Sequence, residues 1–261
     1  MGMIAAAVVS WLTPHRMGPV AFLRAFDLAA RMTIQLAAVC ACAGIIVGVI
    51  ALTGVGARFS SLLLTVAAQS QLLALFFAMC IAIILGMGMP TTAAYAVAAA
   101  VVAPGLIALG IEPLIAHFFV FYFAVMSAIT PPVALAAYAG AALSGSDPMR
   151  TSVEAFKFGL AAFVVPFMFF YSPALLMQGE WWLILRVFAT ASIGIYMLAA
   201  AVQGWFFGPV NLLLRGVLVV GALTLIEGGL WTDLAGIGVG VVVFAIQKRL
   251  VKPEALARGA D

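Results

Sequence analysis

Two short segments hold the residue types that can do chemistry in this chain. Gly86-Met-Gly-Met-Pro-Thr-Thr-Ala-Ala-Tyr95 interrupts a long apolar run with two glycines, a proline and two threonines. Ser127-Ala-Ile-Thr-Pro-Pro132 interrupts another, about forty residues further on. Gly86 and Gly88 admit backbone conformations closed to other residues, Pro90 removes a backbone donor, and Thr91 and Thr92 add hydroxyl oxygens. Pro131 and Pro132 remove two donors and so free carbonyls about one turn earlier, near Ser127 and Ala128, while Thr130 adds a further hydroxyl. Carbonyls at helix C-termini and threonine hydroxyls would coordinate a hard monovalent cation, and helix N-termini would attract a substrate carboxylate. Either break alone is equally explained as a kink tolerated by neighbouring helices and water. Two breaks that both carry threonine favour a shared cation site.

The elements that must position these residues are membrane helices. The chain is 66% hydrophobic and 8% charged, against roughly 25% charged residues in a soluble domain, and its mean hydropathy is +1.25. Crossing the hydrocarbon takes about 20 helical residues. Suitable apolar stretches lie near 33–53, 61–85, 92–110, 114–138, 156–177 and 181–203, with weaker ones near 212–226 and 231–247. The runs are continuous in Ala, Leu, Val, Ile and Phe rather than alternating, which favours helices over a barrel. The expected fold is an all-α polytopic membrane protein. Within it, Gly86–Thr92 suits the tip of a re-entrant hairpin with arms near 73–86 and 92–103, and Ser127–Pro132 suits a broken transmembrane helix. Unpaired backbone in hydrocarbon costs several kcal/mol, so such breaks persist where protein, water or an ion satisfies them.

The net charge of +3 matters less than where the charges lie. Lys248, Arg249, Lys252 and Arg258 follow the last apolar stretch, which by the positive-inside rule places the C-terminus in the cytoplasm. His15, Arg16, Arg24 and Arg31 precede the first clear span. Arg24, Asp27 and Arg31 recur at helical spacing, as in a helix lying at the interface or in the polar start of the first span. His117 is the one histidine inside an apolar region: it either relays a proton or, near a helix start after Gly110-Ile-Glu-Pro113, bonds neutrally to a neighbouring helix. Glu112 belongs to a turn at the water boundary. Asp147, Arg150, Glu154 and Lys157 suit a solvated, capped helix start.

Cys40, Cys42 and Cys80 sit in apolar runs as small hydrophobes, with no disulfide, transition metal or other cofactor expected. Trp181, Trp182, Trp205 and Trp231 mark the ends of apolar runs, as an interfacial belt does. Glu227 and Asp233 flank Gly228-Gly229 in an expected loop and are assigned no chemistry. Met1 to Leu12 lacks a basic lead and makes no convincing signal peptide, so the opening reads as the interior of a longer membrane protein.

Four ordered strings carry a family resemblance. They are Ala41-Cys-Ala-Gly-Ile-Ile-Val-Gly48, Gly86 to Tyr95, the stretch from Ala116-His-Phe-Phe to Thr130-Pro-Pro-Val-Ala-Leu-Ala-Ala-Tyr138, and Asp147-Pro-Met-Arg150. Across residues 17–177 the chain resembles the large permease subunit of tripartite ATP-independent periplasmic (TRAP) transporters, of the fused type that works with TAXI-type binding proteins. The resemblance implies an elevator-type fold of two inverted halves, each with a hairpin and a broken helix, and only the second half is matched. Residues 1–32 then form an interfacial or connecting segment, 33–177 the second half of the permease core, and 178–261 additional C-terminal membrane segments.

The resemblance also implies ion-gradient-driven uptake of an organic anion delivered by a periplasmic binding protein, in the bacterial inner membrane. A cation moving down roughly 100 mV gains about 2.3 kcal/mol. Expected partners are the binding protein, the remaining permease half, a small membrane subunit or its fused equivalent, and the lipid bilayer, with no nucleic acid. Gly86, Gly88, Pro90, Thr91, Thr92, Ser127, Thr130, Pro131 and Pro132 are the expected cation and substrate contacts. Sodium is the expected coupling ion, with the proton as the alternative through His117. A non-transporting assembly fragment would not need both breaks. An intramembrane enzyme would need a nucleophile and base or a metal cluster, and only His117 offers itself.

Overall fold

The computed structural model describes residues 9–10, 18–226 and 229–250. His15, Arg16, Glu227, Lys252 and Arg258 lie outside them, as does most of the Met1 to Leu12 segment. The described chain is helical throughout, as expected from its continuous apolar runs.

Helix α1 (Pro19–Thr53) opens with proline at its first position, where a missing N–H costs nothing. Its 35 residues extend about 52 Å at 1.5 Å per residue. Arg31 pairs with Asp27 one turn earlier at 3.0 Å on the exposed surface, and the charged turns run into the apolar ones without a break. Residues 19–32 are therefore the start of the helix that carries the first apolar stretch. Gly54, in the left-handed region at φ 69°, ends α1 and leads into α2 (Val55–Ala67).

The apolar run expected at 61–85 is not one helix. Gln69 and Ser70 interrupt it, and the Ser70 side chain caps α3 (Gln71–Gly86) by accepting the Leu73 N–H at 3.4 Å. Residues 87–90 turn the chain into α4 (Thr91–Ala108), giving the expected hairpin. Next comes α5 (Pro113–Met126), a 3-10 turn at Ser127–Ile129, an irregular stretch through Ala134, and α6 (Leu135–Ser144). This is the expected broken helix. Arms of 16 and 14 residues in α3 and α5 reach only about 24 and 21 Å, short of the roughly 30 Å hydrocarbon.

Asp147 caps α7 (Pro148–Gly159) by accepting the Arg150 N–H at 2.7 Å, and Lys157 meets Glu154 at 2.8 Å on the surface, as a capped helix start should. A 3-10 stretch, Leu160–Val164, carries the chain into α8 (Val165–Tyr171), and a second, Pro173–Leu176, leads to α9 (Trp181–Gln203). Helices α10 (Leu212–Ile226) and α11 (Leu230–Leu250) complete the described chain. Among the described residues five stretches are long and apolar enough to cross a membrane: Pro19–Thr53, Thr91–Ala108, Pro148–Tyr171, Trp181–Gln203 and Trp231–Lys248.

The main core lies where α3, α4 and α5 meet. Ala78, Ala82, Ala94 and Ala98 are small enough for the hairpin arms to approach closely, and Phe119 and Phe123 fill the α5 side. Both rings meet Phe167 edge to face, at 5.5 and 5.9 Å between centroids, which joins α5 to α8. A second core joins α9, α10 and α11 around Met197, Leu218, Ala222, Leu225 and Val243.

One expectation is corrected in this C-terminal part. Asp233 is not in a loop: α11 begins at Leu230, and Asp233 lies in its first turn, only 5% exposed. Its N–H bonds to the Gly229 carbonyl at 2.8 Å. A carboxylate suits a helix N-terminus, and Arg186 of α9 places Nε at 3.7 Å from Oδ2.

Candidate functional site

The two breaks meet. Gly86 is the last residue of α3 and Ser127 the first past α5, and their contact is so close that a Cβ on Gly86 would stand 2.7 Å from Ser127 Oγ and 3.1 Å from the Ala124 carbonyl. Any side chain there would have to displace them. Gly88 has φ +78°, in the left-handed region, and faces Val133 at the far side of the second break. Hairpin tip and broken helix are thus joined on both sides of the gap, through residues whose types marked them in the sequence.

The meeting of α3 and α5 brings two helix C-termini together. Each carries about half a negative elementary charge, so the gap at Gly86 and Ser127 favours a cation. Some oxygens there are already used. The buried Ser127, 1% exposed, donates its hydroxyl proton to the Ala124 carbonyl at 2.6 Å, and its own carbonyl accepts the Thr130 N–H at 3.2 Å. Thr130, also buried, donates its hydroxyl to the Met126 carbonyl at 2.8 Å and keeps lone pairs on the oxygen. Of the two carbonyls expected to be freed near the prolines, Ser127's is therefore engaged. Ala128's has proline at both positions, 131 and 132, from which an N–H could close a helical bond onto it. The peptide bond joining Pro131 to Pro132 is cis. Tyr138, one turn into α6, donates its hydroxyl to the Pro132 carbonyl.

Each break is followed by a helix N-terminus, that of α4 at Thr91 and that of α6 at Leu135. Pro90, in an extended conformation, precedes α4, whose first residues Thr91 and Thr92 are exposed. Among the described residues neither threonine hydroxyl bonds to protein, and neither reaches Thr130 of the broken helix. Helix N-termini present unsatisfied N–H groups and partial positive charge. The tip thus pairs an anion-attracting end with a cation-attracting one, about five residues apart along the chain.

His117 lies in α5, and its Nδ1 forms a 2.9 Å hydrogen bond with the Tyr95 hydroxyl of α4. The sequence alternative of a bond to a neighbouring helix matches this geometry. Tyr95 also meets Phe121 edge to face at 5.5 Å. Tyr95 carries no role of its own in the sequence reading, although it closes the Gly86 to Tyr95 string. Its hydroxyl, one turn beyond Thr91, was the available signal. Tyr95, Leu114, His117, Phe118 and Phe121 line a shallow, largely apolar groove of about 360 Å³. Tyr95→Phe removes a bond that ties the second hairpin arm to the broken helix. The expected result is a loss of about 0.5–1.5 kcal/mol in thermal or denaturant unfolding, and an unchanged stability would show that the bond contributes nothing.

Glu112, in the turn before α5, is exposed and accepts a bond from Gln178 Nε2 at 2.9 Å. Among the described residues no cluster of His, Cys, Asp and Glu is arranged to hold a metal ion, and the three cysteines are free thiols.

No curated protein matches the chain, and no solved structure does. The family described as "Tripartite ATP-independent periplasmic transporter, DctM component" matches residues 1–182. That match holds both breaks and every site residue named above, so the chain belongs to the DctM component family of TRAP-type secondary transporters.

Proposed function

We propose that this chain provides one cation site and one wall of the substrate path in an ion-driven importer of organic carboxylates. What supports it is the contact of two helix C-termini at Gly86 and Ser127, followed in the chain by the Ala128 carbonyl and the Thr130 oxygen on one side and by the α4 N-terminus on the other. Sodium suits this set, because every available ligand is a neutral oxygen. The cation would sit against the α3 and α5 ends, and a substrate carboxylate against Thr91 and Thr92. Binding both together neutralises charge that neither could carry alone into a low-dielectric path. In the proton alternative His117 would carry the coupling charge.

The remaining parts of the reading follow from its resemblance. The chain acts as the second half of an inverted-repeat permease, completed by the first half and a small membrane subunit, and a periplasmic TAXI-type binding protein delivers the substrate. The host membrane is the bacterial inner membrane. Arg215 and Lys248 lie at one end of the α9–α11 bundle, the end where α11 finishes, and the positive-inside rule makes that end cytoplasmic.

The test is uptake by the reconstituted complete system carrying Thr91→Ala, Thr92→Ala or Thr130→Ala. Loss of a hydroxyl ligand is expected to raise the sodium concentration for half-maximal uptake at least several-fold in Thr130→Ala. In the other two variants the larger effect is expected on half-saturation by substrate. An unchanged dependence on sodium in all three would sink the cation site. Uptake by the parent system that does not depend on sodium, with coupling lost in His117→Gln, would favour the proton.

A further inference from the structure

The C-terminal helices carry a built loop with no part in the site described above. Gly204, in the left-handed region at φ 73°, ends α9, and the chain returns to α10 through a compact turn. Within it Val210 N–H bonds to the Gly204 carbonyl and Phe206 N–H to the Gly208 carbonyl, both at 2.9 Å. Two side chains from other helices hold the turn in place. Arg215 of α10 donates Nε and Nη2 to the Ala201 and Val202 carbonyls, each at 2.7 Å, satisfying the orphan end of α9. Buried Gln247 of α11 donates to the Pro209 carbonyl at 3.2 Å.

This framework holds apolar rings outward. Phe207 has φ 54°, a conformation that costs a bulky residue energy and persists only where its surroundings impose it. Its ring packs edge to face on Phe206 at 5.0 Å and on Phe244 at 4.9 Å, yet Phe207 is 57% exposed and Trp205 63%. Lys248, exposed, stands one helical turn beyond Phe244 and so on the same face of α11. An aromatic tip rimmed by a cation matches the headgroup zone of an anionic leaflet, with rings at the acyl boundary and the ammonium at the phosphates. The distance agrees. The 23 residues of α9 separate Trp181 and Trp182 from this tip by about 34 Å, close to the roughly 30 Å hydrocarbon thickness.

We propose that the Gly204–Asn211 turn, with Lys248, is a preformed anchor for anionic phospholipid that fixes the depth of the C-terminal helices in the bilayer. It does not depend on the transport reading. The full chain is reconstituted into vesicles of phosphatidylcholine with phosphatidylglycerol, with Trp11, Trp181, Trp182 and Trp231 replaced by phenylalanine so that Trp205 alone reports. Trp205 emission is expected to be quenched most by lipids brominated near the headgroup and little by aqueous iodide. Lys248→Gln is expected to lower the preference for phosphatidylglycerol over phosphatidylcholine about fivefold, the factor for one basic residue near an anionic surface. Should the single-tryptophan chain not fold, a spin label at Trp205→Cys, with Cys40, Cys42 and Cys80 changed to alanine, reports the same depth by collision with oxygen or a nickel chelate. A water-exposed Trp205 insensitive to brominated lipid, or an unaltered lipid preference in Lys248→Gln, overturns the proposal.

Discussion

Gly86→Val is expected to abolish uptake by the complete transporter while leaving the chain folded and inserted. A Cβ at position 86 would stand 2.7 Å from Ser127 Oγ, 3.1 Å from Ser127 Cβ and 3.1 Å from the Ala124 carbonyl. The serine hydroxyl can turn aside; the backbone of α5 cannot. Overpacking of this kind costs about 1–3 kcal/mol, and it falls on the close contact between the two helix C-termini. Forcing α3 from α5 spreads the oxygens that the cation would need, so the loss of uptake should exceed tenfold while the unfolding temperature in detergent falls by only a few degrees. Compensation sharpens the test. Gly86→Ala with Ser127→Gly removes both serine atoms from the clash and leaves only the Ala124 carbonyl, and should recover uptake relative to Gly86→Ala alone. Wild-type uptake by Gly86→Val would show that the contact is irrelevant to transport.

The second large effect lies outside the family match. Asp233→Ala removes from α11 the buried carboxylate that Arg186 of α9 approaches, and breaking one side of a buried ion pair costs up to about 3–5 kcal/mol. The full chain in detergent should unfold at markedly lower temperature or denaturant concentration. Replacing both partners, as Arg186→Met with Asp233→Leu, removes the charges together and should restore most of that stability, because well-packed apolar groups substitute for buried pairs at little cost. If Asp233→Ala unfolds within about 1 kcal/mol of the parent, the pair is not a structural tie.

The hairpin and the broken helix were legible because lipid-compatible sequence makes polar and conformationally special residues conspicuous. Gly86, Pro90, Thr130 and Pro131 stand out against Ala, Leu and Phe. Which oxygens are free was not legible at the same level. Proline at 131 releases the Ser127 carbonyl from its α-helical partner, but the Thr130 N–H takes it one residue sooner in a 3-10 turn, and that choice of turn is local geometry rather than composition. The break between α2 and α3 was present as Gln69 and Ser70, yet hidden by the apolar weight on either side. Tyr95 with His117 and Asp233 with Arg186 join residues 22 and 47 positions apart. Pattern along the chain carries no information about such partners, and in each case a helix packing angle decides the meeting.

Helix α1 has a mechanical consequence. Residues 33–53 alone extend about 31 Å, the thickness of the hydrocarbon, and fitting the whole 35-residue helix inside it would need a tilt of about 55°, beyond the 0–40° range of membrane helices. Its first four turns, with Arg24, Asp27 and Arg31, therefore stand clear of the lipid as a rigid spar of about 20 Å. Because the helix is unbroken from Pro19 to Thr53, the aqueous spar and the lipid-length part of α1 are one continuous rod ending at Gly54.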